Sequence, residues 1–430
     1  MKICILGLGY IGLPTAVIFS RQGFQVVGVD VQPKIVEMIN AGEVHIEEPG
    51  LPELVKGAVE QGNLFASSNP EPADVFIIAV PTPNLNDTYK SCDLSFVLQA
   101  TKDILPFLRN GNVVIIESTI APRSMDDYIK PLIESAGFVI GEDVYLVHCP
   151  ERVMPGKIME EIVYNNRIVG GITPACAQAA AEVYGTFVKG EIIQTNAKTA
   201  EMTKLMENTF RDVNIALSNE LVKVCNDLEI NALEVIQMAN KHPRVNLHQP
   251  GPGVGGHCLA VDPYFIEAKS PDLARIIHLA RETNSNMPQY VAEHVGRLLP
   301  KNNGMKIAVF GLTYKADIDD MRESPAVKVV DLLLEQGYHL GIYDPHVNAE
   351  MSRYPLNSLE ETVNEADLLL LLTDHSEFKY FDYNFITRNM RNRLIFDTRN
   401  CIDPSWITHA EVVDFGNLFE YLNRKSAALA

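Results

Sequence analysis

A chain of 430 residues with 47% hydrophobic and 21% charged residues can bury a large core, and its length calls for two to four domains held without disulfides or metals. The formal net charge of −19, from 55 acids against 36 bases, excludes the basic surface of a non-specific nucleic-acid binder. A phosphorylated small ligand stays compatible, because backbone N–H groups and a few placed cations bind phosphate locally.

The seven cysteines, an odd count with no C-x-x-C pair, read as reduced thiols suited to the cytoplasm. A first strand is predicted over Ile3–Leu6, so close to the N-terminus that no signal peptide is expected. Further strands are predicted over Gln25–Val29, Val75–Ala79, Val113–Glu117 and Val144–Val147. Helical patterns over Ile11–Gln22, Pro33–Asn40 and Leu94–Leu108 lie between them. Strand and helix in alternation imply a parallel sheet covered on both faces.

The pattern changes near Asn196. Ala197 to Cys225 is one helical stretch without Pro or Gly, and more helix follows to Asn240. A Gly/Pro-rich loop spans Pro243 to Asp262, and helix resumes from about Leu273 to Leu299. Alternation restarts after the turn-rich Lys301-Asn302-Asn303-Gly304, with strands predicted at Lys306–Phe310, His339–Tyr343, Asp367–Leu372 and Leu394–Asp397. The tail beyond Asn423 is expected to fray. No apolar run approaches the roughly 20 residues of a membrane span. The reading is an α/β chain of two doubly wound, Rossmann-like domains, residues 1–196 and 301–430, joined by a helical section, 197–300.

Gly7-Leu8-Gly9-Tyr10-Ile11-Gly12 follows the first strand and opens the first helix. Glycines there permit a tight turn, close approach of backbone to a pyrophosphate, and close helix packing. Asp30 ends the second strand, where a carboxylate accepts hydrogen bonds from ribose hydroxyls and repels a 2′-phosphate, selecting NAD over NADP. Val80-Pro81-Thr82-Pro83 and Ser118-Thr119 end two further strands, where ligands of open parallel sheets lie; they border the nicotinamide or are loop punctuation.

The stretch Gln249 to Cys258, QPGPGVGGHC, is the most unusual in the chain. Its glycines leave backbone N–H groups unshielded, so the loop can wrap a ligand. It delivers Cys258 just before a helical segment, where a thiol is activated, and Asp262 lies four residues on. A lone cysteine is more often inert packing, but this loop reverses that weighting. Lys204 and Asn208 share one helical face, either as oxyanion-stabilising donors or as a solvated edge. His242, His248, His257 and Cys258 suggest zinc, but their spacings match no compact zinc pattern and the glycines would then have no role, so no metal is expected.

Together the motifs GLGYIG with Asp30, VPTP, ESTI, CPERVMPGK, KLMENTFRDVNIALSNEL, PGPGVGGHCLAVDP, GLTYKADIDDMRESPA and DTRN resemble the UDP-glucose/GDP-mannose dehydrogenase family over essentially the whole chain. The resemblance implies an N-terminal NAD-binding domain, a helical core that makes a homodimer, and a C-terminal domain that holds the nucleotide diphosphate of a UDP-sugar. It implies two oxidations at C6 of the sugar, with two NAD and one water. On it, Cys258 is the nucleophile, forming a thiohemiacetal and then a thioester. Lys204 and Asn208 stabilise oxyanions, Asp262 positions water, and Glu151 and Thr119 assist proton transfer or hydrolysis.

The same resemblance assigns NAD to Gly7, Gly9, Tyr10, Ile11, Gly12, Asp30, Lys34, Pro81, Thr82 and Thr119, with Arg322 on the pyrophosphate. It assigns substrate to Glu151, Arg152, Lys204, Asn208, Gly253, Gly255, Gly256, His257, Lys315 and Arg399, with Arg244 reaching the sugar of a neighbouring subunit. Members acting on UDP-glucose tend to carry GGxCxxKD, with Lys where this chain has Val261. The resemblance therefore implies a UDP-N-acetylhexosamine, UDP-N-acetyl-D-mannosamine first with UDP-N-acetylglucosamine its rival, and a uronate donor for surface polysaccharide. A zinc alcohol dehydrogenase would hold metal. A non-catalytic NAD sensor has no need of Cys258 with Lys204, and a two-domain 2-hydroxyacid reductase leaves the third section unexplained.

Overall fold

The computed structural model describes residues 1–300, 304–350 and 352–429; the expected turn at 301–303 lies outside them. The chain forms two compact units, Met1–Glu207 with Tyr264–Leu273, and Asn208–Pro263 with Ala274–Ala430.

The first unit is built on an eight-stranded sheet. Its strands are β1 (Lys2–Leu6), β2 (Gln25–Val29), β3 (Leu64–Ser67), β4 (Val75–Ile78), β5 (Asn112–Ile116), β6 (Val144–His148), β7 (Arg167–Gly171) and β8 (Ile192–Asn196), in the order β3-β2-β1-β4-β5-β6-β7-β8. The apolar runs of β1, β4 and β5 are buried on both faces, as parallel strands covered by helices must be. The order reverses between β1 and β4, which opens a crevice at their carboxyl ends.

The sheet is not wholly parallel: β7 joins β6 antiparallel, through Val147 opposite Gly171 and His148 opposite Gly170. The segment between these two strands carries one short helix, Ile158–Tyr164. Three strands lack a clear sequence signal. β3 has four residues of alternating burial, β7 ends in two glycines, and no residue of β8 is fully buried.

The second unit carries a five-stranded parallel sheet: β9 (Lys306–Phe310), β10 (His339–Tyr343), β11 (Leu368–Leu371), β12 (Leu394–Asp397) and β13 (Glu411–Asp414), ordered β10-β9-β11-β12-β13. Its opening repeats that of the first. Gly7 and Gly311 both follow the first strand with φ near +90°, and each donates its N–H to the last residue of the next strand, Val29 or Tyr343. Asp30 and Asp344 then accept the N–H of the residue after that glycine, Leu8 at 3.1 Å and Leu312 at 2.7 Å.

The long helix Ala197–Asp227 begins at the expected residue. The predicted stretch from Leu273 to Leu299 is two helices, Arg275–Ser285 and Met287–Leu298, because Pro288 has no N–H to continue the ladder. The chain end does not fray at Asn423: a helix spans Leu418–Leu429. Leu418 and Leu422 enter the core, and Lys425 donates to the carbonyl of Leu298 at 2.6 Å. Among the described residues no helix is long and apolar enough to cross a membrane.

Candidate active site

The dinucleotide loop has the shape its sequence requires. Gly7 sits at φ +92°, and a Cβ on it would meet the carbonyl oxygen of Ala79 at 2.6 Å. A Cβ on Gly12 would fall 1.8 Å from the carbonyl oxygen of Gly7, so the helix Gly12–Arg21 can approach only without one. A Cβ on Gly9 would meet nothing within 4 Å, and that open side is where a pyrophosphate has room. Asp30 is half-buried; its carboxylate takes Leu8 and Gln32 N–H groups and keeps acceptor capacity for ribose hydroxyls. These residues fit NAD. Lys34 is exposed in the first turn of the helix Pro33–Asn40, while Tyr10 and Ile11 are half-buried in the loop.

The ends of β4 and β5 are tied together. Thr82 Oγ1 donates to the carbonyl of Thr119 at 2.6 Å, and Ser118 Oγ to that of Val80 at 2.7 Å. Pro81 is exposed beside them. Just beneath lies a buried ionic network: Arg167 pairs with Glu117 at 3.2 Å and with Glu151 at 2.5 Å. Tyr184 donates its hydroxyl to Glu117 at 2.6 Å. Burial pushes the Glu117 carboxyl up to about 7, with Arg167 opposing and Glu151 adding to the rise. The next residue, Arg152, turns away to Glu207 and to the carbonyl of Asn166, on the rim of an open polar hollow.

In the second unit, Asn208 and Asp262 are both buried and joined: the Asn208 amide donates to Asp262 Oδ2 at 2.5 Å, and Arg211 donates to Asn208 Oδ1. Cys258 is half-buried, and its carbonyl accepts the N–H of Val261 and of Asp262, so one turn of chain links thiol and carboxylate at the start of the helix Asp262–Lys269. Neighbouring backbone and side chains require the glycines before it. A Cβ on Gly255 would lie 2.5 Å from the carbonyl oxygen of Glu323. On Gly256, at φ +83°, it would strike the Tyr314 ring at 2.6 Å, and on Gly253 the carbonyl oxygen of Asn284 at 2.9 Å. Asn219 anchors the loop's entry by accepting the N–H of Gly251 at 2.9 Å.

At the carboxyl ends of the second sheet, Arg399 pairs with Asp374 at 2.6 Å, and Lys315 is exposed on the loop after β9. Arg322 is clasped by Asp320 at 2.6 Å and reaches His257 Nδ1 at 3.4 Å. Burial works to raise the Asp320 carboxyl, but Arg322 and His257 hold it below the ordinary range. Arg244 is exposed, its N–H directed to His242 Nδ1. Lys204 is half-buried on the long helix and belongs to the first unit. One cluster among the described residues has metal-ligand chemistry, Asp317, His346, His375 and Glu377. It contains none of His242, His248, His257 and Cys258, and its His375 Nδ1 already accepts the Asp317 N–H at 3.0 Å.

Family models match in chain order. The NAD binding domain of the UDP-glucose/GDP-mannose dehydrogenase family matches residues 1–188, its central domain 198–286 and its UDP binding domain 308–404. The chain belongs to the UDP-glucose/GDP-mannose dehydrogenase family. It is an NAD-dependent UDP-sugar dehydrogenase.

This dehydrogenase is 48% identical to the UDP-N-acetyl-D-mannosamine dehydrogenase of Methanocaldococcus jannaschii, over 94% of this chain and 93% of that one. It is 45% identical to an NDP-N-acetyl-D-galactosaminuronic acid dehydrogenase of Ralstonia nicotianae, over 92% and 95%. The solved UDP-N-acetyl-mannosamine dehydrogenase of Staphylococcus aureus superposes with a TM-score of 0.92 at 53% identity, over 98% of this chain and all of that one.

Sequence reasoning passed over several residues that the dehydrogenase gathers around these groups: Arg167 with Tyr184, Arg211 and Asp320. A charge opening an apolar strand, as Arg167 opens β7, was the available signal.

Proposed function

We propose that this dehydrogenase oxidises C6 of a UDP-N-acetylhexosamine twice, with UDP-N-acetyl-D-mannosamine the preferred substrate and UDP-N-acetyl-D-mannosaminuronate the product. The observation that carries the chemistry is the linked set Cys258, Asp262 and Asn208: a thiol one helical turn from a buried carboxylate that an amide donor holds in place. The names of the Methanocaldococcus and Staphylococcus relatives support the sugar. So does Val261, standing where UDP-glucose enzymes tend to carry Lys.

NAD, when bound, takes up a hydride at each oxidation. The chain's own groups do the rest. Cys258 Sγ adds to the aldehyde carbon, giving a thiohemiacetal that is oxidised to a thioester. Asn208 and Lys204 steady the oxyanions, while Asp262, Glu151 and Thr119 handle water and protons. Lys315 and Arg399 hold the UDP-sugar, with Glu151, Arg152, Lys204, Asn208, Gly253, Gly255, Gly256 and His257, and Arg322 meets the NAD pyrophosphate. The functional parts are then 1–196 for NAD, 197–300 for dimerisation and 301–430 for UDP-sugar.

A homodimer through the central helices is supported by Met206, Phe210, Leu217 and Val224, exposed apolar residues at helical spacing on Ala197–Asp227. Arg244 would then reach the partner's sugar. Phe210→Glu should halve the mass seen by light scattering; an unchanged mass removes this interface. Seven free thiols suit a cytoplasmic enzyme, and the product suits a uronate donor for surface polysaccharide.

The deciding experiment incubates the enzyme and NAD with UDP-N-acetylmannosamine, UDP-N-acetylglucosamine, UDP-N-acetylgalactosamine and UDP-glucose. Two NADH per UDP-N-acetylmannosamine are expected, with Cys258→Ser binding NAD but failing to complete the oxidation. Faster turnover of UDP-glucose than of any N-acetylated sugar removes the substrate, and full two-step turnover by Cys258→Ser removes the thioester route.

A further inference from the structure

Arg167 is an uncommon object for a protein interior. Its side chain is 5% exposed, and it faces two carboxylates, Glu117 at 0% and Glu151 at 7%. Nη1 reaches Glu117 Oε1 at 3.2 Å and Nη2 reaches Glu151 Oε2 at 2.5 Å, while the guanidinium lies 4.4 Å over the ring of Tyr184. Two acids share one base away from water. That is a poor device for stability, since an apolar set of similar volume usually serves as well or better.

The network connects to functional elements on every side. Glu117 directly follows β5 and precedes Ser118-Thr119. Thr15, on the helix that opens at the dinucleotide loop, lies 3.4 Å from Glu117 Oε2. The second oxygen of Glu151 accepts the N–H of Arg152 at 2.7 Å, so both carboxylate oxygens are held. An amine in place of the guanidinium would be a single point charge, unable to keep two carboxylates in fixed orientation at once.

We propose that Arg167 is a positioning residue, whose fork joins Glu151 to Glu117 and so presents the Glu151 carboxylate to the reaction in one orientation beside the nicotinamide-side loops. This rests on the reading that Glu151 assists hydrolysis. In that step water oxygen adds to the thioester carbonyl carbon, the C–S bond breaks, and Cys258 leaves as thiolate. Glu151 takes the proton that water gives up, and no electrons pass to any acceptor.

A double-mutant cycle over Glu151→Gln and Arg167→Met tests it, with NAD binding and melting temperature measured on every variant. Glu151→Gln should lower kcat about 100-fold. Arg167→Met should lower kcat between about 10- and 100-fold with the KM for NAD little changed, and Arg167→Lys should recover only part of that. The double variant should be no slower than Glu151→Gln alone. If Arg167→Met slows wild type and Glu151→Gln by the same factor, Arg167 acts independently and the inference falls while the role of Glu151 stands. If Glu151→Gln turns over at the wild-type rate, the role of Glu151 falls and takes the inference with it. Should Arg167→Met fail to fold, Arg167→Lys enters the same cycle, with the same two outcomes deciding.

Discussion

Asn208 donates its side-chain amide to the carboxylate of Asp262 at 2.5 Å, across 54 positions of sequence and inside the same unit. Arg211 fixes which way round that amide lies, because a guanidinium can only donate, so the Asn208 oxygen must face it and the nitrogen must face Asp262. Asn208→Asp replaces the donor with a second carboxylate at hydrogen-bond distance, and two such groups cannot both ionise without cost. The variant should lose about 100-fold in kcat near neutral pH. Its deficit relative to wild type should deepen as pH rises and the shared proton leaves. Rate profiles from pH 6 to pH 9 check this; a deficit constant across that range separates the pair from the chemistry.

Asp30 separates the two nicotinamide cofactors through its charge. Asp30→Asn keeps an acceptor for the Leu8 N–H while removing the repulsion of a 2′-phosphate. The kcat/KM for NADP should rise about tenfold relative to that for NAD. An unchanged ratio would mean that another group excludes NADP.

The glycines of the loop before Cys258 differ in what they would tolerate. A Cβ on Gly255 meets backbone and ring atoms, the Glu323 carbonyl oxygen at 2.5 Å and Pro325 Cδ at 2.7 Å, so the loop itself must move. A Cβ on Gly251 meets chiefly the Arg399 guanidinium at 2.6 Å, the mobile end of a long side chain. Gly255→Ala should lower kcat by about 100-fold, the usual cost of a reacting group displaced by an ångström. Gly251→Ala should act mainly on the KM for UDP-sugar. Equal losses in kcat for the two would contradict this account of the loop.

Glu201 couples stability to pH in the first unit. Its carboxylate accepts the N–H of Arg123 at 2.6 Å and of Met125 at 2.8 Å, with Asp126 and Lys269 the other charges acting on it. Burial outweighs these bonds and pushes the carboxyl up to about 7. An acid raised on folding binds its proton more tightly in the native state, so stability is lost as pH climbs from its unfolded value towards 7. Glu201→Gln removes that penalty. The melting temperature of the variant minus that of wild type should grow by several degrees between pH 5 and pH 8. A difference that shrinks over that range would reverse the assigned sign.

Much of this molecule was legible as sequence because the relevant physics is local. Gly7 needs a positive φ and Gly12 needs no Cβ within a few residues of chain, so the turn and its helix follow from the string itself. Asp30 stands at the end of a five-residue apolar strand, and its place at the dinucleotide loop follows from parallel pairing with the strand before it. The long helix from Ala197 was readable for the same reason, as an unbroken run without Pro or Gly.

Only the tertiary structure decided the rest, because those features are fixed by partners distant in sequence. β8 reads as polar and β3 as too short; each becomes a strand by pairing at a particular register. The antiparallel entry of β7 is set by its pairing with β6, Val147 opposite Gly171 and His148 opposite Gly170. The loop glycines also make room for Tyr314 and for the backbone at Glu323 and Asn284, neighbours that lie far away in sequence. In the sequence Arg167 and Glu117 are ordinary charges, and nothing there ties them to Glu151. Burial turns them into one unit, because a charge taken out of water must be met by an opposite one, and only the folded chain determines which.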